Sequence, residues 1–241
     1  MAGPVRWLTA FIDMPVADVT LGADFWKRAL DCELSQWRGD DLQYATLVPR
    51  AGGEPHLQVQ GLAITDPRMH LDLHVDDVAA TARHGEALGA EMVLDAGYRV
   101  LRSPGGFTFC VVPYHGEALP SRVDQLSIDV PAASFDAECS FWSALTGLAL
   151  EPSPREEFVN LHYRDEMPLR LLLQKLGASD RHREVVAHLD VSAGDDRNEV
   201  VAKHVALGAQ VVSEHRWWTV MRDPVGQTYC ITRRDPQPAQ R

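Results

Sequence analysis

HLDLHVDD, His70 to Asp77, alternates histidine and aspartate with leucine, and HLDV returns from His188. Successive residues of a strand face opposite sides of a sheet. Leu71, Leu73 and Val75 therefore form an apolar face suited to a helical layer. His70, Asp72 and His74 project from the other face. The second copy starts 118 residues later (188 − 70), which points to a longer repeat.

The repeat runs through the chain. FIDMP at Phe11 matches SIDVP at Ser127, and Phe25-Trp26 matches Phe141-Trp142, both at an offset of 116. Leu88-Gly89-Ala90 matches Leu207-Gly208-Ala209 at 119, and SPGGFTFCVV from Ser103 matches DPVGQTYCIT from Asp223 at 120. A slowly drifting offset is the mark of two homologous halves. Domain boundaries are expected at 5–116 and 121–235, with the joint near His115–Arg122 and a loose tail, RRDPQPAQR, at the end. Within the first half, Phe11 and His70, and Asp18 and Asp77, are each 59 apart, so each half divides again into two quarters.

Each quarter reads β-α-β-β-β. TAFIDMPV is a strand; Asp18 can cap a helix whose Leu21, Phe25 and Ala29 share one face. ELSQW, LQYATLV and HLQVQGL follow as strands. The second quarter runs from MHLDLHV through a helix over 77–88, stopped by Gly89, to EMVL, YRVLR and FTFCVV. Four quarters make four helices and about sixteen strands. The fold class is α+β, with helices on one side of each sheet and a partly polar, concave wall on the other. Small-molecule sites are built on such walls.

Composition narrows the function. The chain has 241 residues and a formal net charge of −11, which argues against a general nucleic-acid binder. It has no stretch of roughly 20 apolar residues for a membrane span and no export signal, so a cytoplasmic location is expected. The four cysteines form no CxxC pair and are expected as thiols. GxGxxG, GxxxxGK[ST] and GxSxG motifs are missing.

The doubled β-α-β-β-β pattern, the Asp before a helix carrying FW, HLDLHVDD, the LGA after it and the DPVGQTYC ending together resemble the vicinal oxygen chelate superfamily. This group includes glyoxalase I, extradiol dioxygenases, fosfomycin-modifying enzymes and bleomycin-resistance proteins, and the likeness is to its glyoxalase-like domain branch. The resemblance covers Leu8 to Thr232. It implies two tandem domains, each curling around a cup. In metal-using relatives the ligands come from the first, fifth and last strands, often with one from the fourth. Those positions fall on Phe11 and Ser127, on His70 and His188, on Cys110 and Cys230, and near Gln60 and Gln174. Phenylalanine cannot ligate and serine ligates poorly, while a catalytic metal usually takes about three protein ligands. No cofactor is therefore expected; if a divalent metal binds, His70, Cys110, His188 and Cys230 would hold it.

The candidate catalytic residues are His70 and His188 with Asp72 and Asp190, as proton-transfer groups, and Cys110 and Cys230, as nucleophiles. The plain alternatives are structural His–Asp pairs and small buried thiols. The candidate substrate-binding residues are Asp13, Asp129, Gln60, Gln174, His162, Trp217 and Trp218. Asp13 and Asp129 could equally brace a turn, and one of Trp217 and Trp218 should line the cup, where it could stack on a flat ligand. Three functions remain: metal-free binding of a small organic molecule such as a drug or secondary metabolite; a lyase or isomerase using His/Asp or His/Cys chemistry; and a metal-dependent lyase or dioxygenase with an atypical ligand set. The expected partner is a small molecule, with monomer and homodimer both open.

Overall fold

The computed structural model describes residues 4–52, 55–114, 123–162, 167, 169–177, 180 and 182–235. The joint expected at His115–Arg122 lies outside them. The first half runs β1 (Val5–Pro15), α1 (Val19–Ala29), β2 (Cys32–Leu34), β3 (Tyr44–Pro49), β4 (Leu57–Leu62), β5 (Arg68–Val75), α2 (Val78–Ala87), β6 (Glu91–Asp95), β7 (Arg99–Arg102) and β8 (Thr108–Pro113). The second half repeats the order with β9 (Val123–Val130), α3 (Phe135–Thr146), β10 (Leu150–Pro152), β11 (Phe158–Leu161), β12 (Arg170–Lys175), β13 (Val186–Ser192), α4 (Arg197–Ala206), β14 (Gln210–Glu214), β15 (Trp218–Arg222) and β16 (Thr228–Thr232). A single 3₁₀ turn at Gly194–Asp196 precedes α4. The α+β class and the β-α-β-β-β quarter are both as the sequence implies.

Each half contributes one eight-stranded mixed sheet, ordered β2-β3-β4-β1-β5-β8-β7-β6 and β10-β11-β12-β9-β13-β16-β15-β14. The first and fourth strands of a quarter pair in parallel, as β1 with β4 and β5 with β8, and the hairpins between them are antiparallel. That parallel closure is what the helix in each quarter makes possible, since parallel strands need a long crossover. Helices α2 and α4 are followed by Gly89 and Gly208 at φ 101° and 105°, where a side chain would be strained.

Two local expectations change. Asp18 occupies the N-cap position of α1 without a side-chain cap bond, whereas Asp77 caps α2 by accepting from the Ala80 N–H at 2.9 Å. Leu21 is 54% exposed; the buried face of α1 is Gly22, Ala23, Phe25, Trp26 and Ala29. The four-residue spacing of Leu21, Phe25 and Ala29 placed Leu21 inward, and the buried face instead includes Gly22.

The compact packing units cut across the sequence halves. One comprises Met1–Thr9, His70–Glu117 and Leu126–Ala187; the other comprises Ala10–Met69, Ala118–Gln125 and His188–Arg241. In the first unit, Phe141 and Trp142 of α3 meet Phe109 of β8 edge-on at 5.8 and 5.3 Å, and Trp142 meets Phe107 at 5.9 Å. In the second, Phe25 and Trp26 of α1 meet Tyr229 of β16 at 6.1 and 4.9 Å. These geometries suit aromatic quadrupoles. The FW pair is core in both cases: Trp26 and Trp142 are fully buried.

The second unit also buries His204 of α4, whose Nδ1 bonds the Tyr229 hydroxyl at 2.9 Å. Burial, with a smaller contribution from Lys203, lowers its pKa from 6.5 to about 4. The unfolded chain then binds a proton that the folded chain refuses between those values. Stability contributed by the neutral ring is present above pH 6.5 and is lost as pH falls towards 4. His204→Gln, which can still bond Tyr229, should flatten this part of a stability–pH curve measured by urea unfolding. An unchanged slope would refute the assignment.

Candidate functional site

Strand alternation brings the sequence candidates together twice. In the first unit, Asp72 of β5 lies opposite Cys110 of β8 in the parallel register, and His70 precedes Asp72 on the same face. One ligand-capable atom from each of His70, Asp72 and Cys110 lies within 4.8 Å of the others. In the second unit, Asp190 of β13 lies opposite Cys230 of β16, and His188, Asp190 and Cys230 satisfy the same limit. The histidine Nε2 stands 3.6 Å from Asp72 Oδ1 and 3.5 Å from Asp190 Oδ1. Both contacts are longer than a good N–H···O hydrogen bond and become ion pairs only when the ring is protonated. Each cluster is largely buried, so charge within it needs a partner. No disulfide joins the four cysteines.

The two clusters are held differently. In the second, Gln125 Nε2 donates to Asp190 Oδ2 at 2.5 Å, while Gln125 Oε1 accepts from Arg234 Nη1 at 2.7 Å. The same guanidinium clasps Asp124 through Nε and Nη2 at 2.7 and 2.9 Å and reaches Asp190 Oδ2 at 3.8 Å. Burial opposes the charge on Arg234, but Asp124 and Asp190 outweigh it and hold its pKa above the usual value. The offsets of 116 and 120 place Leu8, Thr9 and Tyr114 where the second half has Asp124, Gln125 and Arg234. In the first unit Thr9 Oγ1 instead meets His74 Nε2 at 2.9 Å.

Arg234 was expected in a loose tail, and this is corrected: its side chain is bonded into the second cluster. The signal was available, because the period-2 pattern Thr228, Cys230, Thr232 continues to Arg234. In the same way Gln125 extends the alternation of Ser127 and Asp129 by one step. The alternation was stopped too early at both ends.

The remaining candidates are scattered among other partners. Asp13 is buried, paired with Arg68 at 3.6 Å, and opposite Gln60 in the β1–β4 register. Asp129 and Gln174 are half-buried on β9 and β12. His162 is exposed and its Nδ1 meets Glu151 Oε1 at 2.5 Å; it belongs to neither cluster. Trp217 is 49% exposed under Arg216, with 4.7 Å from guanidinium to ring. Trp218 is half-buried and stacks on His215 at 4.8 Å. No helix among the described residues is long and apolar enough to cross a membrane.

The glyoxalase-like domain model matches residues 9–112 and again 125–232. The chain belongs to the glyoxalase-like domain family. A search of curated proteins finds no match. Among solved structures, a variant of homoprotocatechuate 2,3-dioxygenase from Brevibacterium fuscum is 14% identical with a TM-score of 0.65, covering 97% of this chain and 72% of that one. The 2,2',3-trihydroxybiphenyl 1,2-dioxygenase of Sphingomonas wittichii is 15% identical with a TM-score of 0.62, covering 96% and 90%. A xylose isomerase-like TIM barrel/4-hydroxyphenylpyruvate dioxygenase fusion protein is 15% identical with a TM-score of 0.60, and this chain spans half its length. At these identities the likeness is one of fold, and it matches the tandem architecture the repeat implies.

Proposed function

We propose that this glyoxalase-like protein binds a small organic molecule through the polar faces of its two sheets, with no resident metal in the second half. The observation that carries this reading is the Arg234–Gln125–Asp190 chain. The carboxylate that would complete a three-ligand set with His188 and Cys230 already accepts from Gln125 and faces a guanidinium. A divalent cation there would confront a fixed positive charge, so the second donor set does not fit a metal. His188 and His70 serve instead as hydrogen-bonding groups for the ligand, backed by Asp190 and Asp72. The domains of this reading are 5–116 and 121–235, in a cytoplasmic protein.

The names of the structural neighbours suggest aromatic diols as first probes. Thermal melts with 3,4-dihydroxyphenylacetate and a panel of small aromatic acids should give a concentration-dependent rise, because a ligand that binds only the folded state stabilises it. His188→Ala and His70→Ala should reduce the rise at a given concentration. A rise insensitive to both substitutions would sink the assignment of these rings.

A second reading is favoured by one observation in the first half. His70, Asp72 and Cys110 present nitrogen, oxygen and sulfur donors within 4.8 Å. That set suits a soft divalent cation such as zinc, and unlike its counterpart it has no arginine at the matching position. Elemental analysis after zinc loading and dialysis separates the readings. Metal retained near one per chain and lost in His70→Ala but not in His188→Ala establishes the second. Metal below a tenth per chain leaves the first.

A further inference from the structure

Two buried helix–turn contacts satisfy the same donors with carboxylates from opposite sides. In the second unit, α1 docks on the turn Asp223–Gln227. Asp223 Oδ1 accepts the N–H groups of Val225 and Gln227 at 3.0 and 2.8 Å, and Oδ2 accepts the Trp26 indole N–H at 2.9 Å. In the first unit, α3 docks on the matching turn Ser103–Phe107. There the carboxylate belongs to the helix: Glu138 Oε2 accepts the Trp142 indole N–H at 2.9 Å, and Oε1 accepts the Gly105 N–H. Ser103 Oγ accepts the Phe107 N–H at 3.1 Å and its hydroxyl hydrogen-bonds the Glu138 carboxylate. By the repeat offsets, Glu138 corresponds to Gly22, Asp223 to Ser103, and Val225 to Gly105.

Shape follows the same exchange. A Cβ on Gly22 would lie 2.1 Å from Met14 Sδ and 3.3 Å from Val225 Cγ2, so the small helix residue faces the larger turn residue. A Cβ on Gly105 would lie 2.9 Å from Glu138 Oε1 and 2.3 Å from Val185 Cγ2, so the large helix residue faces the small turn residue. Both carboxylates are buried, Glu138 at 0% and Asp223 at 4% exposure.

We infer that these contacts form a pairing code, in which each helix accepts the turn of the other half and rejects the turn of its own. The occupant each surface fits is the opposite half of this chain. Pairing α1 with Ser103–Phe107, as two first halves from separate copies would do, brings Gly22 against Gly105. It leaves the Trp26 indole and the Gly105 N–H with no carboxylate. Pairing α3 with Asp223–Gln227 drives Glu138 against Val225 and places two carboxylates at one buried spot. Orphaned buried donors and crowded like charges are both strongly disfavoured.

Substitutions in the full-length chain reproduce each wrong pairing at the α3 contact. Ser103→Asp sets Glu138 against an aspartate turn; Glu138→Ala leaves a serine turn without a carboxylate; the double variant rebuilds the arrangement of the other unit. Alanine is used because it keeps helix propensity. Thermal melts at pH 7.5 should show Ser103→Asp lowering Tm in the native background and raising it in the Glu138→Ala background. A shift of the same sign in both backgrounds overturns the code. If Glu138→Ala does not fold, Ser103→Asp alone still decides. Two crowded acids raise a folded-state pKa, so its Tm deficit should shrink as pH falls from 7.5 to 5. A deficit independent of pH overturns the inference.

Discussion

Arg234→Ala should destabilise the fold by about 3–5 kcal/mol, the range found when one partner of a buried ion pair is removed. The guanidinium makes two bonds to Asp124 and one to Gln125, and it is the cation facing Asp190. Asp124 and Asp190 are 2% and 5% exposed, so neither carboxylate can recover its hydration in the variant. Gln125 would also lose the donor that fixes its amide orientation towards Asp190. The two stranded acids would have folded-state pKa values above their unfolded ones. Their penalty is then full at neutral pH and eases as pH falls towards the unfolded value of about 3.9. Urea unfolding at pH 7.5 and pH 5 tests both statements. A loss under 1 kcal/mol at pH 7.5, or a deficit that grows in acid, would contradict the network described. Arg234→Lys should fall between, since an ammonium keeps the charge but not the forked donation.

Trp142→Ala should cost a similar amount, about 3–5 kcal/mol, by removing a wholly buried ring. Three aromatic neighbours, Phe107, Phe109 and Phe141, meet that ring edge-on and would border the cavity. The variant also strands Glu138 Oε2, whose pKa burial already raises against the bonds from Gly105, Ser103 and Trp142. Trp142→Phe separates the two effects. It keeps most of the packing and loses the indole N–H, so its cost should be nearer the 1–3 kcal/mol of an unsatisfied buried group. Equal losses for Ala and Phe would mean that the hydrogen bond, not the ring volume, dominates.

The fold was legible because its signals are local and doubled. The period-2 pattern at His70–Val75 and the repeated FW, LGA and turn motifs each need only neighbouring residues to be read. The core of both clusters followed from the same alternation, since a strand that buries Leu71 and Leu73 must carry His70 and Asp72 on one other face. What escaped was carried by tertiary partners. Asp124 and Arg234 are 110 residues apart; the alternation could place Arg234 on the polar face, but it could not name Asp124 as its partner. The helix that covers Phe107 and Phe109 is α3, from the other half, and no strand or helix pattern reveals which of two similar helices docks on which turn. That choice rests on single positions, Gly22 or Glu138 and Ser103 or Asp223, whose meaning depends on their being in contact.

Residues 10–69 share a compact unit with residues 188–241. During synthesis, the growing polypeptide therefore carries α1 with its Trp26 and Phe25 uncovered until Tyr229 and Asp223 have left the ribosome. Contacts between the two ends of a sequence are slow to form, because a long loop must close first. The first quarter should thus mature only once residues 223–229 are made, and a stop codon placed before Asp223 should ruin the N-terminal quarter as thoroughly as the segment it removes.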